Sequence, residues 1–195
     1  MGRFFVVLLV VLSGVLAGQA QAEESMKLLG AGTIIFKSPY RGVGTKSFAI
    51  PIVSLDHKNF YVKGVEAGYK FYKNEKFSFG VIVAPRFMGY HSSESDALDG
   101  MEDRKWSTDA GLRAEWVLPY IEGLSLSAKV VTDAGSKHDG QEAELALTRK
   151  FKGRIFELTP AIGVRFQSKE IIGYYYGVDS SEVRSDRSAY DPGST

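Results

Sequence analysis

With 195 residues, 24 Lys or Arg against 23 Asp or Glu, and a formal net charge of +1, the chain has room for one domain and lacks the basic excess that a nucleic-acid partner requires. It has no cysteine, which excludes a disulfide framework and a thiolate metal site. Gly 21, Tyr 10 and Phe 12 with only 6 Pro suit an all-β chain with many turns.

Residues 1–22 read as a secretory signal peptide. Arg3 supplies the positive start, Phe4 to Leu12 is an unbroken apolar run, and Ala20-Gln21-Ala22 offers a small-x-small cleavage site after Ala22. The run is short for a membrane-spanning helix. No cysteine follows it for a lipid anchor. Residues 23–195 then form one exported domain, and any membrane crossing falls to strands.

Period-two alternation dominates that domain. Leu28 to Phe36 is the first predicted strand. Lys37 to Asn59 is expected to act as one outer connection, folded over or into a barrel mouth, because counting Ser47 to Leu55 as a spanning strand breaks the alternation of short and long connections. Tyr61, Val65, Ala67, Tyr69 and Phe71 share a face. Phe77, Phe79, Val81, Val83 and Phe87 form the next, opposite Ser78, Gly80 and Arg86.

Lys105 to Val117 is the clearest case. Trp106, Thr108, Ala110, Leu112, Ala114 and Trp116 lie on one face, and Lys105, Ser107, Asp109, Gly111, Arg113 and Glu115 on the other. Ten residues separate the two tryptophans. At about 3.3 Å per residue they stand roughly 33 Å apart along the strand. A tilt of about 40° leaves roughly 25 Å along the membrane normal, the height of the apolar band of outer-membrane barrels. Trp106 and Trp116 are therefore the candidate aromatics of the two membrane girdles. Leu124 to Asp133, Gln141 to Phe151 and Phe156 to Gln167 alternate likewise.

Short connections at Lys73 to Glu75, Pro119 to Gly123 and Lys152 to Arg154 alternate with longer ones at His91 to Arg104, Ala134 to Asp139 and beyond Ser168. The expectation is an antiparallel transmembrane β-barrel of the outer membrane. Seven spanning strands are visible, and single-chain bacterial barrels have even numbers. The last strands are therefore expected to be missing from residues 23–195.

The connections hold the remaining candidates. His57, His91 and His138 are expected to be solvated. His91-Ser92-Ser93-Glu94 lacks the convergence a hydrolase needs, and Ser92 to Arg104 reads as an acidic solvated loop. Lys129, Arg113, Asp109, Glu115, Asp133, Glu157 and Arg165 are expected to point inward and pair. Tyr174 to Tyr176 are expected at a rim or girdle, and Asp179 with Glu182 fits a capping box. No catalytic, cofactor-binding or metal residue is assigned.

Tyr174-Tyr175-Tyr176-Gly177-Val178, followed by Asp179, Glu182, Arg187, Ala189, Tyr190 and Pro192, resembles the tyrosine-rich run of the MipA/OmpV family. Leu98-Asp99-Gly100-Met101 with Arg104 is similar to an outer-loop motif of that family, and Pro39-Tyr40-x-Gly42 with Ile50-Pro51 to its N-terminal pattern. The resemblance implies an outer-membrane barrel without established catalytic residues. It implies a scaffold for a peptidoglycan synthase and a lytic transglycosylase, set among outer-membrane lipid and lipopolysaccharide. A pore or a surface adhesin is the alternative, and a lipid-modifying barrel enzyme the minor one.

Overall fold

The computed structural model of the chain describes residues 28–153 and 157–193; the leader predicted over residues 1–22, and Phe156, lie outside them. Nine strands form one antiparallel sheet: β1 (Leu28–Lys37), β2 (Thr45–His57), β3 (Phe60–Lys63), β4 (Glu66–Lys73), β5 (Phe77–Arg86), β6 (Ser107–Val117), β7 (Leu124–Asp133), β8 (Gln141–Arg149) and β11 (Ala161–Gln167). They lie in chain order, except that β9 (Phe151–Lys152) and β10 (Glu157–Leu158) form a two-stranded extension between β8 and β11. Strands β1 and β11 are the edges of this sheet. One helix, α1 (Lys169–Tyr176), follows.

The alternation in the sequence sets the register. Phe77, Phe79, Val81 and Val83 of β5 stand opposite Trp116, Ala114, Leu112 and Ala110 of β6. Those pair in turn with Leu126, Ala128, Val130 and Thr132 of β7. The rows continue through Leu147 and Leu145 of β8 to Ile162 and Val164 of β11. The large apolar members of these rows are exposed. A contiguous apolar face of this extent would be costly in water and is stable against lipid. No helix among the described residues is long and apolar enough to cross a membrane.

Lys37 to Asn59 is not one connection. β2 pairs with β1 along ten residues, from Lys37–Thr45 to Leu28–Ser54. The strand count keeps its alternation because β3, four residues long, turns back at Lys58–Asn59 and again at Gly64–Val65. The second turn also corrects the face of Tyr61. It pairs with Gly68, not with Ala67 or Tyr69, and stands on the polar face with its hydroxyl donating to Glu66 Oε1 at 3.0 Å.

Two prolines mark where the β3–β4 hairpin stops. Gly64 N donates to Val53 O at 2.7 Å, so the backbone groups of Val53, and of Pro51 two residues earlier, face β3. β3 pairs no further up β2 than Ser54. Ala134 N donates to Thr108 O at 2.8 Å, so Thr108 turns towards β7 and its partner Pro85 turns towards β4, whose ladder ends at Ala67–Val83. Each proline thus lacks an N–H only where no strand could accept it. Side chains close the gap. Phe48 packs edge-on against Trp106 at 5.2 Å and stacks on Phe87 at 6.4 Å. Lys46 reaches Gly89 O at 3.3 Å and Glu94 at 2.6 Å.

Candidate functional site

The polar face carries two bands of ion pairs. In the larger, the Arg86 guanidinium of β5 bonds Asp109 of β6 at 2.5 and 2.9 Å and Glu142 of β8 at 2.9 Å. Lys129 of β7 lies 3.6 Å from Glu142 and 3.5 Å from Glu144. Arg165 of β11 bonds Glu144 at 2.6 and 2.9 Å, and Gln167 donates to Glu142 at 2.9 Å. Glu142 is only 3% exposed. Removing one partner from such a set leaves a buried charge uncompensated, so the band ties five strands together. In the smaller band Arg113 bonds Glu66 at 2.5 Å and Lys70 bonds Asp56 at 3.0 Å, with Lys70 4.9 Å above the Tyr61 ring.

At one end of this face the long connections fold into a cap. Asp133 organises the turn after β7, accepting from Ser107 Oγ at 2.6 Å and from the amides of Gly135, Lys137, His138 and Asp139 at 2.5 to 3.0 Å. His138 is buried beneath it. Gly140 N donates to its Nδ1 at 3.1 Å, and its Nε2 lies 3.3 Å from Asp109 Oδ1, which fits a neutral ring carrying its proton on Nε2. Asp109, Asp133 and His138 group their ligand atoms as a metal site would. Their acceptors, however, are already taken by Arg86, Ser107 and backbone amides, so the cluster acts as a staple.

Helix α1 packs over the Asp109–His138 end of the larger band. Ile171 and Tyr175 are fully buried, and the Tyr175 ring lies 5.8 Å from that of His138. The helix start comes so close to Gly140 that a Cβ there would stand 2.6 Å from Ile171 Cγ1 and 2.8 Å from its nitrogen. Tyr90, Leu98 and Met101 make a small apolar core, with Tyr40, Val43 and Val178 against it. Gly100 turns with φ +76°, a conformation that favours glycine.

Arg104 and Glu182 lock the cap. The Glu182 carboxylate accepts from Arg104 Nη2 at 2.8 and 2.9 Å, from Glu102 N at 2.7 Å and from Asp179 N at 3.0 Å. Burial raises its pKa, but these four hydrogen bonds outweigh burial and hold it below the usual value. Arg187 bonds the carbonyls of Ala97, Asp99 and Glu182, and Arg184 bonds Asp99. Three buried polar atoms of the cap, Tyr40 Oη, Tyr90 Oη and Arg104 Nε, have no protein partner. Burial first, then the Tyr176 and neighbouring tyrosine hydroxyls, raises the Tyr40 pKa; burial pushes Tyr90 up to about 12.

Gly100, Met101, Arg104, Tyr174, Tyr175, Tyr176, Gly177 and Val178 are brought together in this cap. Tyr174 to Tyr176 are not a rim or girdle cluster, as expected from the sequence, because they form the last turn of α1. Tyr174 Oη accepts from Lys105 N at 3.0 Å, Tyr175 is buried, and Tyr176 faces Tyr40 at 5.9 Å. His138 is buried and not solvated, while His91 is exposed and 2.9 Å from Asp103. The capping box of Asp179 and Glu182 is present. Trp106 and Trp116 are each 51% exposed on the apolar side. Sequence reasoning missed Arg86, Glu142 and Glu182 as network centres. Two were visible as charges on a strand's polar face; Glu182 carries no signal beyond the capping box.

The family model described as MltA-interacting protein MipA matches residues 29–195. The outer membrane protein YiaT of Escherichia coli K12 is 28% identical over 167 residues, 85% of this chain and 67% of its own length. The MltA-interacting protein of the same strain is 28% identical over 179 residues, 90% of this chain and 71% of its own. Outer membrane protein OmpV of Vibrio cholerae is 25% identical over 127 residues, 64% of this chain and 48% of its own. No solved structure matches.

Proposed function

The chain belongs to the MipA/OmpV family of outer-membrane proteins, and from that premise we propose that it is a non-catalytic scaffold in the cell envelope. Its partners in this reading are a lytic transglycosylase, as the name of the Escherichia coli relative suggests, and a peptidoglycan synthase.

The single observation that favours a scaffold over a pore is the cross-linked polar face. Arg86, Lys129 and Arg165 are spent on Asp109, Glu142 and Glu144, and α1 packs over the Arg86–Asp109 end through Tyr175 against His138. A solute path would need these pairs and the cap to part. In the proposed orientation the cap faces outward and the tight turns face the periplasm. Trp106, with Phe48 and Phe87, serves the outer girdle, and Trp116, with Phe77, the inner one.

The periplasmic contact is assigned to two adjoining turns. Lys150 N donates to Gly123 O at 2.8 Å, which brings the β6–β7 turn against the start of the β9–β10 hairpin. Tyr120 at the tip is 95% exposed, with Ile121 and Phe151 exposed beside it. Co-purification of the full-length protein with the lytic transglycosylase tests this. Wild type is expected to retain the enzyme and Tyr120→Ala to lose at least about tenfold, the cost of a modest aromatic anchor. Open-channel conductance in planar bilayers without enzyme retention refutes the scaffold.

A further inference from the structure

The tight-turn end is strongly unbalanced in charge. Lys58, Lys73, Lys76, Arg149 and Lys150 are exposed there, against Glu75 and Glu122. Lys73 lies 3.7 Å from Asp56. The capped end has the opposite sign. Segments 38–44, 87–106, 134–140 and 168–193 hold seven Lys or Arg and eleven Asp or Glu.

The basic residues also share a depth. Phe77 faces Trp116 across the β5–β6 ladder, and Lys76, next to it, accepts from Val117 N at 2.7 Å. Lys73 follows Tyr72, whose ring lies 6.1 Å from that of Phe77. Arg149 pairs with Leu124 at the end of its ladder and stacks 4.7 Å over Phe151. At about 3.3 Å per residue these cations begin within roughly 7 Å of the aromatic band. That is headgroup depth, where long basic side chains extend from an apolar stem to water.

We propose that this rim binds the phosphates of anionic phospholipids in the periplasmic leaflet, so that the protein gathers such lipids around its turn end. The protein contact assigned above is at the projecting Tyr120 tip, whereas four of these five cations sit on turns of two or three residues or at strand ends, level with the headgroups. The lipid assignment rests on the orientation given above, with the cap outside.

The test uses the full-length mature protein in nanodiscs of phosphatidylcholine mixed with phosphatidylglycerol. Native mass spectrometry reads the lipids retained on the protein. Phosphatidylglycerol is expected to be enriched at least about fivefold over the bulk mixture, the factor for one basic side chain at an anionic surface, and the enrichment should shrink with added salt. A Lys73→Gln/Lys76→Gln/Arg149→Gln variant should lose it, while Lys137→Gln/Lys169→Gln at the capped end should keep it. If the triple variant does not fold, Lys76→Gln alone should show a partial loss. Equal retention of both lipids by wild type, or enrichment that survives in the triple variant, overturns the proposal. So does a result in which the Gln variants lose transglycosylase retention with no lipid preference in wild type, which would make the rim a protein-docking site. Labelling of Lys76→Cys on intact cells by an impermeant maleimide separates the two readings: reaction from outside refutes the orientation, whatever the nanodiscs report.

Discussion

Replacing Glu182 by alanine should release the cap without melting the sheet. Its carboxylate accepts four hydrogen bonds between 2.7 and 3.0 Å, and the Arg104 side chain it neutralises is 5% exposed. The substitution leaves the buried guanidinium with only the longer contacts to the exposed carboxylates of Asp179 and Glu102, at 3.9 and 4.0 Å, a loss at the lower end of about 3–5 kcal/mol. Two amides, of Glu102 and Asp179, lose an acceptor as well. Because the segment after Gly177 is held by this lock, Arg184, Arg187, the Val178–Tyr190 bridge and the packing of Val178, the loss falls on local opening. Amide exchange at Val178, Arg184, Arg187 and Tyr190 should then accelerate by roughly two to three orders of magnitude, since each ~1.4 kcal/mol is tenfold. Strand amides of β5 to β8 should stay unchanged. Hydrogen exchange read by mass spectrometry gives both in one experiment. Acceleration of less than about threefold, the effect of an ordinary surface change, refutes the claim that Glu182 holds the cap closed. Tyr90→Phe is the matched control: its hydroxyl has no partner, so the change should be neutral to within about 1 kcal/mol.

Acidification should mimic the first variant. The folded pKa of Glu182 lies below its usual 4.5, so the stability it confers is complete above that value and is lost as pH falls through the folded pKa; protease cleavage in residues 178–190 should rise below about pH 4.5 and not between pH 6 and 8. Asp103, held at about 2 by the Ser92 amide and by His91, loosens the neighbouring loop in the same direction at lower pH. Gly140→Ala should displace α1, because the added methyl meets Ile171, and the Tyr175 fluorescence environment should shift while the barrel stays resistant to detergent. Phe48→Ala and Trp106→Ala should be non-additive, with a coupling of about 0.5–1.5 kcal/mol in unfolding from lipid vesicles; simple additivity contradicts the clasp across the β3–β4 gap.

The sheet was legible because its signal is local. β5 to β8 are long ladders with one apolar and one charged face, and period-two alternation reports that directly. β2 was hidden because the parity of the turns left no place for it. That resolves once β3 is four residues long, since the short strand restores parity; it also leaves Pro51 without a partner on one side. Four residues with a glycine turn carry too little pattern to be read alone. The same turn moved Tyr61 to the polar face. The cap was less legible still. Its motif residues, Gly100 to Arg104 and Tyr174 to Val178, were visible as a resemblance, but their meeting depends on contacts across some 70 to 90 positions, such as Arg104–Glu182 and Arg187–Ala97. Triple tyrosine reads as amphipathic at a rim; it takes the helix geometry to bury the middle ring and bond the first to Lys105.

The central claim is that one side of this sheet meets hydrocarbon and the other is sealed by ion pairs. Nitroxide labels placed singly at Ala110, Leu112, Arg113, Ala114 and Glu115 in the folded protein in lipid vesicles test it most directly. Collision with oxygen should be high at 110, 112 and 114 and low at 113 and 115, with a period of two and no access for a water-soluble nickel complex at the first three. Uniform access of the nickel complex along β6 would contradict the account.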